Sequence, residues 1–172
     1  MKLHLGCGTN RIEGWLNVDI DSPQADLHVD LRQPLPYADA TVAFIFNEHF
    51  LEHITRDEGL TFLRECRRVL KPSGVFRVST PDLRWLIAQY QSGKLDEWTD
   101  VGWLPQTPCM MFNEGMRLWG HQFLYDLAEL TAVLRQAGFA NVSQVEHSKS
   151  SHPELIGLEC RPWHHELIVE AH

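Results

Sequence analysis

The chain has 172 residues, which is enough for one domain with a single sizeable core and too few for two. Its hydrophobic fraction of 44% and charged fraction of 22% are those of a globular protein. Acidic residues outnumber basic ones 23 to 15, the formal net charge is −8 and no basic run occurs, which argues against nucleic acid as a partner.

The sequence also argues against a membrane protein and a secreted one. No stretch approaches the roughly 20 apolar residues that cross a bilayer, and the first residues lack the basic and apolar regions of a signal peptide. The cysteines are far apart and form no C-x-x-C pair, so no disulfide framework or zinc knuckle is expected: Cys7, Cys66, Cys109 and Cys160. We expect a cytoplasmic protein, and the sequence does not indicate its oligomeric state.

The first half of the chain predicts strands with one helix between them. Short apolar or β-branched segments predict strands over residues 2–5, 15–20, 27–31 and 41–46. Thr55 and Glu58 have the spacing of a capping box, and the apolar face of the helix that follows is Leu60, Leu63, Cys66 and Leu70. Residues 71–74 should end this helix, and residues 75–79 should form the fifth strand.

The second half begins with a helix that Asp82 can cap, with Leu83, Leu86, Ile87 and Tyr90 on its apolar face. Residues 92–125 show no clear periodicity but contain Trp98, Trp103 and Trp119, which argues for a functional segment and against disorder. Asp126 and Glu129 predict another capping box before a helix that Gly138 ends. Residues 142–147 and 166–171 should form the last two strands.

This order of elements predicts an α/β fold in a single domain over residues 1–172. Strands that alternate with helices favour a Rossmann-like, doubly wound parallel sheet with helices on both faces. The last two predicted strands are close in sequence, so one of them could lie antiparallel at the edge of the sheet.

The ends of the first three predicted strands suggest a nucleoside site. Gly6 and Gly8 follow the first strand and allow a sharp turn and the close approach of a ligand. Asp19 ends the second strand, where its carboxylate can accept hydrogen bonds from both ribose hydroxyls. Asp30 ends the third strand, where it can accept from an adenine amine, and Leu31 can cover the adenine face.

A dinucleotide cofactor is the main competitor for this site. Its fingerprint needs a third glycine, where this chain has Arg11, and a full helix after the loop. Only residues 9–14 separate the loop from the next strand, which leaves room for about one helical turn. A pyrophosphate depends on a helix N-terminus, so a ligand without phosphate, such as S-adenosylmethionine, fits better.

These residues resemble the class I S-adenosylmethionine-dependent methyltransferases, and within them the methyltransferase type 11 group. The resemblance covers residues 3 to about 142 in the expected order, and its motifs are the loop at residues 3–8, Asp30-Leu31 with residues 35–39, the Phe50-Leu51-Glu52-His53 element, the turn at residues 68–74, and His121 with Phe123. It implies a sheet of about seven strands with the last one antiparallel. It also implies S-adenosylmethionine as cofactor, contacted by Gly6, Cys7, Gly8, Asn10, Asp19, Ile20, Asp30, Leu31, Asn47 and Glu48.

Three departures from the family pattern stand out. The chain begins at the first strand, without the helix that usually precedes it; the first crossover helix is short; and Ala43 replaces a frequent aspartate. We therefore expect residues 92–125 to act as a lid over the cofactor.

Methyl transfer from a sulfonium needs an aligned acceptor and, for an oxygen or nitrogen acceptor, the removal of a proton. Histidine titrates near pH 6.5 and is a common base, and three histidines are candidates: His49, His53 and His121. A small polar acceptor is expected near Asn113, Glu114, Arg117 and Trp119. We expect no metal site, because the adjacent His164 and His165 point apart in a strand.

Two other functions remain open. The fold could belong to a non-catalytic module that binds S-adenosylmethionine or a partner, which the missing N-terminal cover favours slightly. A dinucleotide-dependent enzyme is the third possibility, and the missing third glycine disfavours it. A small-molecule methyltransferase is the reading that accounts for the glycine loop, Asp19 and Asp30 together.

Overall fold

The computed structural model describes residues 1–95, 102–161 and 165–172. The strands are β1 (Lys2–Leu5), β2 (Leu16–Asp19), β3 (Leu27–His28), β4 (Val42–Glu48), β5 (Leu70–Pro81), β6 (Val142–Gln144) and β7 (Glu166–Ala171). The helices are α1 (Arg56–Val69), α2 (Leu83–Ser92), α3 (Pro108–Arg117) and α4 (Leu127–Ala137). None of the helices described is long and apolar enough to cross a membrane.

The seven strands form one sheet in the order β3-β2-β1-β4-β5-β7-β6. Strands β1 to β5 are parallel to one another, whereas β7 is antiparallel to both β5 and β6. The predicted antiparallel last strand is therefore confirmed. It does not lie at the edge, however, because β6 pairs along its outer side.

The main core lies between one face of the sheet and the helices α1 and α4. Ile45 of β4 and Phe76 of β5 are fully buried there, against Leu63 of α1 and Leu134 of α4. The predicted capping box of α1 is present, since Thr55 and Glu58 each accept from the other's backbone N–H. Before α4, Asp126 accepts from the Glu129 N–H, but the Glu129 carboxylate pairs with Arg56 instead of closing a second box.

The opposite face of the sheet has a thinner cover. Its buried cluster is Trp15, Phe46, Val75 and Leu155. The connection from β1 to β2 is too short for a crossover helix and forms only turns, so this face is closed by residues 12–15 and by a 3-10 turn at Pro153–Leu155. The helices α1 and α4 lie on the other face.

The tryptophan-rich stretch contains more regular structure than its sequence predicts. Helix α3 begins at Pro108, capped by Thr107, and packs on α2 through a separate cluster that includes Leu86, Met111 and Leu124. This pair of helices lies beyond the carboxyl end of β5. Trp98, part of the predicted lid, lies outside the described residues.

Candidate active site

The carboxyl ends of β1 and β2 open into a cavity of about 350 Å³, here called the loop cavity. Residues from the glycine loop, from the end of β4 and from the segment before β7 line it: His4, Gly6, Cys7, Gly8, Thr9, Asn10, Asp19, Glu48, His49, Phe50, His53, Cys160 and Arg161. This is the edge of a parallel sheet at which α/β proteins bind ligands, and strand order reverses here between β1 and β4.

The glycine loop is held against β2 by its backbone. The N–H groups of Gly6 and Cys7 both donate to the Val18 carbonyl. Gly6 has a φ of +70°, and a Cβ added to it would lie 2.8 Å from the Phe50 Cβ, so both its conformation and its surroundings require glycine. The loop backbone therefore faces the cavity in a fixed conformation.

Asp19 joins this loop to the end of β2. Its Oδ2 accepts from the Gly8 N–H at 2.8 Å, and its Oδ1 faces the Asp21 N–H at 3.3 Å. Two buried side-chain atoms nearby, Asn10 Nδ2 and Asn47 Oδ1, have no hydrogen-bond partner among the described residues. Of these residues, Asp19 and Asn10 line the loop cavity, whereas Asn47 is buried behind it and donates to the Leu5 carbonyl.

The residues expected on the adenine side lie outside this lining. Asp30 is paired through both carboxylate oxygens with Arg32, at 2.8 and 2.9 Å, and this contact lowers the pKa of the carboxyl. Leu31 is buried in the main core, and the Ile20 side chain is exposed. An adenine contact by Asp30 stays a prediction, and it would have to share the carboxylate with Arg32.

A second cavity of about 520 Å³, here called the tryptophan cavity, lies next to the loop cavity. Its walls come from the end of β5, from α2 and from residues 103–124: His49, His53, Pro81, Asp82, Trp85, Leu86, Trp103, Gly115, Trp119, His121, Leu124, Arg161 and His165. Three residues, His49, His53 and Arg161, line both cavities. The two spaces therefore share one wall.

His49 lies in this shared wall with a φ of +51°. Residues other than glycine rarely adopt this backbone conformation, and those that do are often found at functional sites. Its two ring nitrogens face buried carboxylates, Nδ1 at 3.0 Å from Glu52 and Nε2 at 2.9 Å from Glu166. Burial alone would lower the pKa of His49, but these contacts outweigh it and raise the pKa to about 9. The two carboxylates therefore favour the protonated form of the buried His49 ring.

Glu48 lies beside His49 at the end of β4 and binds the segment that precedes β7. It accepts from both the backbone N–H and the thiol of Cys160, each at 3.0 Å. Burial raises the pKa of Glu48, and burial together with this carboxylate raises the pKa of the Cys160 thiol to about 11. The Glu48 contact thus brings Cys160 and Arg161 to the wall of the loop cavity.

His53 and His121 pack edge to face in the wall of the tryptophan cavity, with ring centroids 5.0 Å apart. Backbone hydrogen bonds hold their segments together, because the N–H groups of Gln122 and Phe123 both donate to the Glu52 carbonyl. His121 Nδ1 lies 3.0 Å from the Gly115 carbonyl, and burial lowers the pKa of this histidine. The three predicted base candidates are therefore brought to one cavity.

The predicted acceptor residues are placed differently from one another. Trp119 lines the tryptophan cavity, with its ring 5.2 Å from that of Trp103. Asn113 and Arg117 are exposed on α3, and Glu114 accepts from the Trp103 indole N–H. The described part of the predicted lid lines the tryptophan cavity and contributes nothing to the lining of the loop cavity.

Several site residues are not among the sequence-based candidates. Cys160, Trp85 and Glu166 reach the site only through long-range packing, and no local motif indicates them. By contrast, His49 and His53 are four positions apart, an H-x-x-x-H pattern that is visible in the sequence. The expectation of no metal site rests on His164 and His165 and leaves this spacing out; His164 lies outside the described residues.

Comparison with known proteins assigns the part of the chain that carries the glycine loop to a family. The family model described as a methyltransferase domain matches residues 3–78. A probable S-adenosylmethionine-dependent methyltransferase from Mycolicibacterium smegmatis is 40% identical over 117 residues, which are 68% of this chain and 36% of that protein. The chain thus spans about a third of the length of this curated relative.

Solved structures show the same fold. An S-adenosylmethionine-dependent methyltransferase from Thermotoga maritima has a TM-score of 0.61 at 16% identity, covering 99% of this chain and 80% of its own. One from Archaeoglobus fulgidus has a TM-score of 0.61 at 14% identity, covering 99% and 84%. Residues 3–78 belong to the methyltransferase domain family, and the chain has the class I methyltransferase fold, which confirms the resemblance seen in the sequence.

The loop cavity fits the cofactor of this family. Glycine at positions 6 and 8 keeps the backbone open to a ligand, and a Cβ added at Gly8 would meet nothing within 4 Å. Asp19 places a carboxylate in the lining, where a contact with ribose hydroxyls is predicted, and Asn10 Nδ2 is a buried donor without a partner in the part of the chain that the structure describes. No helix begins in the loop to hold a phosphate, which suits a nucleoside ligand without one.

Proposed function

We propose that the chain transfers a methyl group from S-adenosylmethionine to an oxygen or nitrogen of a small polar acceptor. The observation that carries this proposal is the common wall of the two cavities, formed by His49, His53 and Arg161. A donor in the loop cavity and an acceptor in the tryptophan cavity would meet at this wall, as an in-line displacement requires.

Each part of the site has a role in this reaction. Bound S-adenosylmethionine supplies an activated methyl group on a sulfonium. The Gly6–Gly8 backbone and Asp19 would hold its nucleoside part, while the apolar and aromatic walls of the tryptophan cavity would exclude water and orient the acceptor. The chain's own contribution is therefore mainly positioning, with one proton to remove from the acceptor.

The histidines of the shared wall divide into two kinds. His49 has both ring nitrogens directed at carboxylates, so we expect it to fix the geometry of the wall. His53 and His121 line the acceptor side and have partly accessible rings. Either can accept the proton that leaves the acceptor, directly or through water.

The segment before β7 closes the site from the third side. Arg161 lines both cavities, and a guanidinium at this place can donate hydrogen bonds to an anionic or polar group of the acceptor or of the methionyl end. This supports a polar acceptor and leaves its identity to a screen with labelled methyl groups.

The cofactor part of the proposal is tested by thermal unfolding with S-adenosylhomocysteine, S-adenosylmethionine and NAD. A ligand at about 100 times its dissociation constant stabilises a protein by roughly 2.7 kcal/mol. We expect a shift with the first two ligands, its loss in Asp19→Ala, and its retention in the neighbouring exposed Asp21→Ala. A shift with NAD alone, or one that Asp19→Ala leaves unchanged, would contradict the proposal. Cofactor binding without methyl transfer to any acceptor in the screen would favour the non-catalytic module.

A further inference from the structure

We propose that Glu52, His53 and His121 form a binding site for a divalent transition-metal ion, Zn²⁺ above all, at the wall of the tryptophan cavity. Each residue offers one ligand atom, and the three atoms lie within 4.8 Å of one another. His53 Nε2 and Glu52 Oε1 are 3.9 Å apart. Binding of the ion does not depend on the proposed methyl transfer, although the ion would lie where the acceptor is expected.

The three ligand atoms would have to move only slightly closer together to bind an ion. Zinc bonds of about 2.0–2.1 Å to nitrogen and oxygen place neighbouring ligand atoms of a tetrahedral site roughly 3.4 Å apart. The pair formed by His53 and Glu52 is close to this separation. Rotation of the His121 ring toward that pair would complete the set, and the cavity beside the ring leaves space for it.

The contacts behind the three ligands match those that orient metal ligands in proteins. A metal-binding histidine usually donates its second ring N–H to a carbonyl or carboxylate. His121 has this contact, since its Nδ1 lies 3.0 Å from the Gly115 carbonyl, which leaves Nε2 for an ion. The second oxygen of Glu52 accepts from the Thr80 hydroxyl at 3.0 Å, which fixes the carboxylate.

Glu52 Oε1 can bind an ion in addition to its contact with His49. Glu52 is fully buried, and its Oε1 is paired with His49 Nδ1 at 3.0 Å, one of the contacts that raise the pKa of His49. A carboxylate oxygen has two lone pairs, so this atom can face His49 and still bind a cation. A buried carboxylate oxygen directed at two histidines is a chemically suitable place for one.

The backbone holds the ligands together before any ion binds. Two N–H groups of residues 122–123 donate to the Glu52 carbonyl, and the Gln122 side chain donates to the His53 carbonyl at 2.8 Å. Gly120, with a φ of +81°, turns the chain just before His121. The segment that carries His121 is therefore fixed against the segment that carries the other two ligands.

The donor set indicates which ion would bind. Two imidazoles and one carboxylate suit Zn²⁺ and its transition-metal neighbours, whereas Mg²⁺ and Ca²⁺ prefer oxygen ligands. Three protein ligands leave at least one coordination position open, as in catalytic zinc sites. That position would face the tryptophan cavity, so the ion can hold an oxygen or nitrogen of the acceptor and favour loss of its proton to water. In the metal-bound state the ion would thus replace His53 or His121 as the group that promotes deprotonation.

The test is calorimetric titration of ZnCl₂ into protein stripped of metal with a chelator, with MgCl₂ as the comparison. We expect one Zn²⁺ per chain and no comparable binding of Mg²⁺. Since loss of an outer-shell partner already weakens metal binding 10–100-fold, loss of a ligand in His53→Gln or His121→Gln should weaken it by more than about 100-fold. The exposed His28→Gln is the matched control, and circular dichroism checks the fold of each variant.

Co²⁺ provides a second readout, because its visible absorption reports coordination by the protein. We expect a spectrum in the parent protein and in His28→Gln, and none in His121→Gln. Absence of Zn²⁺ binding, or binding that neither His53→Gln nor His121→Gln weakens, would overturn the site. The thermal shift with S-adenosylhomocysteine is measured on the same samples, so failure of the metal site and failure of the cofactor proposal are separate results.

Discussion

His4 is a buried histidine whose charge limits stability in acid. It lies in β1 with its ring on Phe46, and its Nδ1 is 3.1 Å from the Asn17 side-chain oxygen. Burial is the main cause that lowers the pKa of His4 from 6.5 to about 4, against smaller opposing effects of Asn17 and of the nearby Asp19 carboxylate. The folded protein therefore resists protonation at a position where the unfolded chain accepts a proton.

This difference gives a pH dependence with a definite sign. Above pH 6.5 the His4 ring is neutral in both the folded and the unfolded protein, so its protonation takes nothing from the free energy of unfolding. Between pH 6.5 and 4 only the unfolded chain takes up the proton, so we expect a loss that reaches about 3 kcal/mol near pH 4. Urea unfolding of the parent protein and of His4→Gln across this range measures it as the difference between two curves. His28→Gln is the exposed control; if the parent and His4→Gln curves run parallel, His4 does not cause the acid sensitivity.

Single residues also show what a sequence can predict about a site. Gly6, Gly8 and Asp19 are indicated by local rules, because a turn after a strand and an acid at a strand end are set by neighbours in the chain. Asp30 follows the same rule, yet its carboxylate is bound by Arg32, only two residues away. The sequence shows which groups are near each other but not which of two partners a charged group takes.

At the scale of elements, the buried Arg77 holds β5, β7 and the segment before β7 together. Its guanidinium pairs with Glu159 at 2.5 Å and with Glu170 at 2.6 Å, and it donates to the Lys149 carbonyl. Arg77 and Glu159 are fully buried. Because the segment that ends in Cys160 and Arg161 depends on these contacts, one buried cation supports a wall of the site.

Removal of Arg77 should therefore be costly. Arg77→Gln leaves two buried carboxylates without their cation, and we expect a loss of about 3–5 kcal/mol in the free energy of unfolding. The same change at the exposed Arg64 on α1 should cost less than about 0.5 kcal/mol. Urea unfolding of both variants measures this difference. Equal stabilities would show that the buried ion pairs do not support this part of the fold.

The elements predicted best are those with local signals at their ends. Thr55 and Glu58 begin α1 as a capping box, Asp82 begins α2, and Gly138 ends α4 in the left-handed conformation. Helix α3 also begins at a local signal, Thr107 followed by Pro108, but its apolar residues pack mainly on α2 and not on the sheet. The segment at residues 145–161 is held by long-range contacts such as those of Arg77, which no local pattern shows.

At the scale of the whole molecule, the parallel sheet is predicted from strands that alternate with helices, although among β1 to β5 only the connection from β4 to β5 contains an α-helix. The position of β7 between β5 and β6 is harder to predict, because it depends on which edges remain to be paired once the rest of the sheet has formed. The same limit applies to the site. The loop cavity forms mostly near the start of the chain, whereas the tryptophan cavity combines α2, residues 103–124 and the residues next to β7.

This division predicts how the molecule should respond to the cofactor product alone. S-adenosylhomocysteine in the loop cavity would contact residues 6–10 and 19, and it would reach the other cavity only at the shared wall formed by His49, His53 and Arg161. In hydrogen exchange we therefore expect slower exchange of amides at residues 6–10 and little change in α3, which lines only the tryptophan cavity. Local opening is rarer when a bound ligand must leave first.

The same experiment decides what residues 92–125 cover. If they form a lid over the cofactor, S-adenosylhomocysteine should slow exchange in α3 as much as in the glycine loop, and it should also protect the stretch from limited proteolysis. If they enclose the acceptor, both effects should appear only when an acceptor or an analogue is added. We expect the second result, because within the described part of this stretch the lining residues Trp103, Gly115, Trp119, His121 and Leu124 all face the tryptophan cavity. Equal protection of both regions by S-adenosylhomocysteine alone would contradict this assignment and restore the lid over the cofactor.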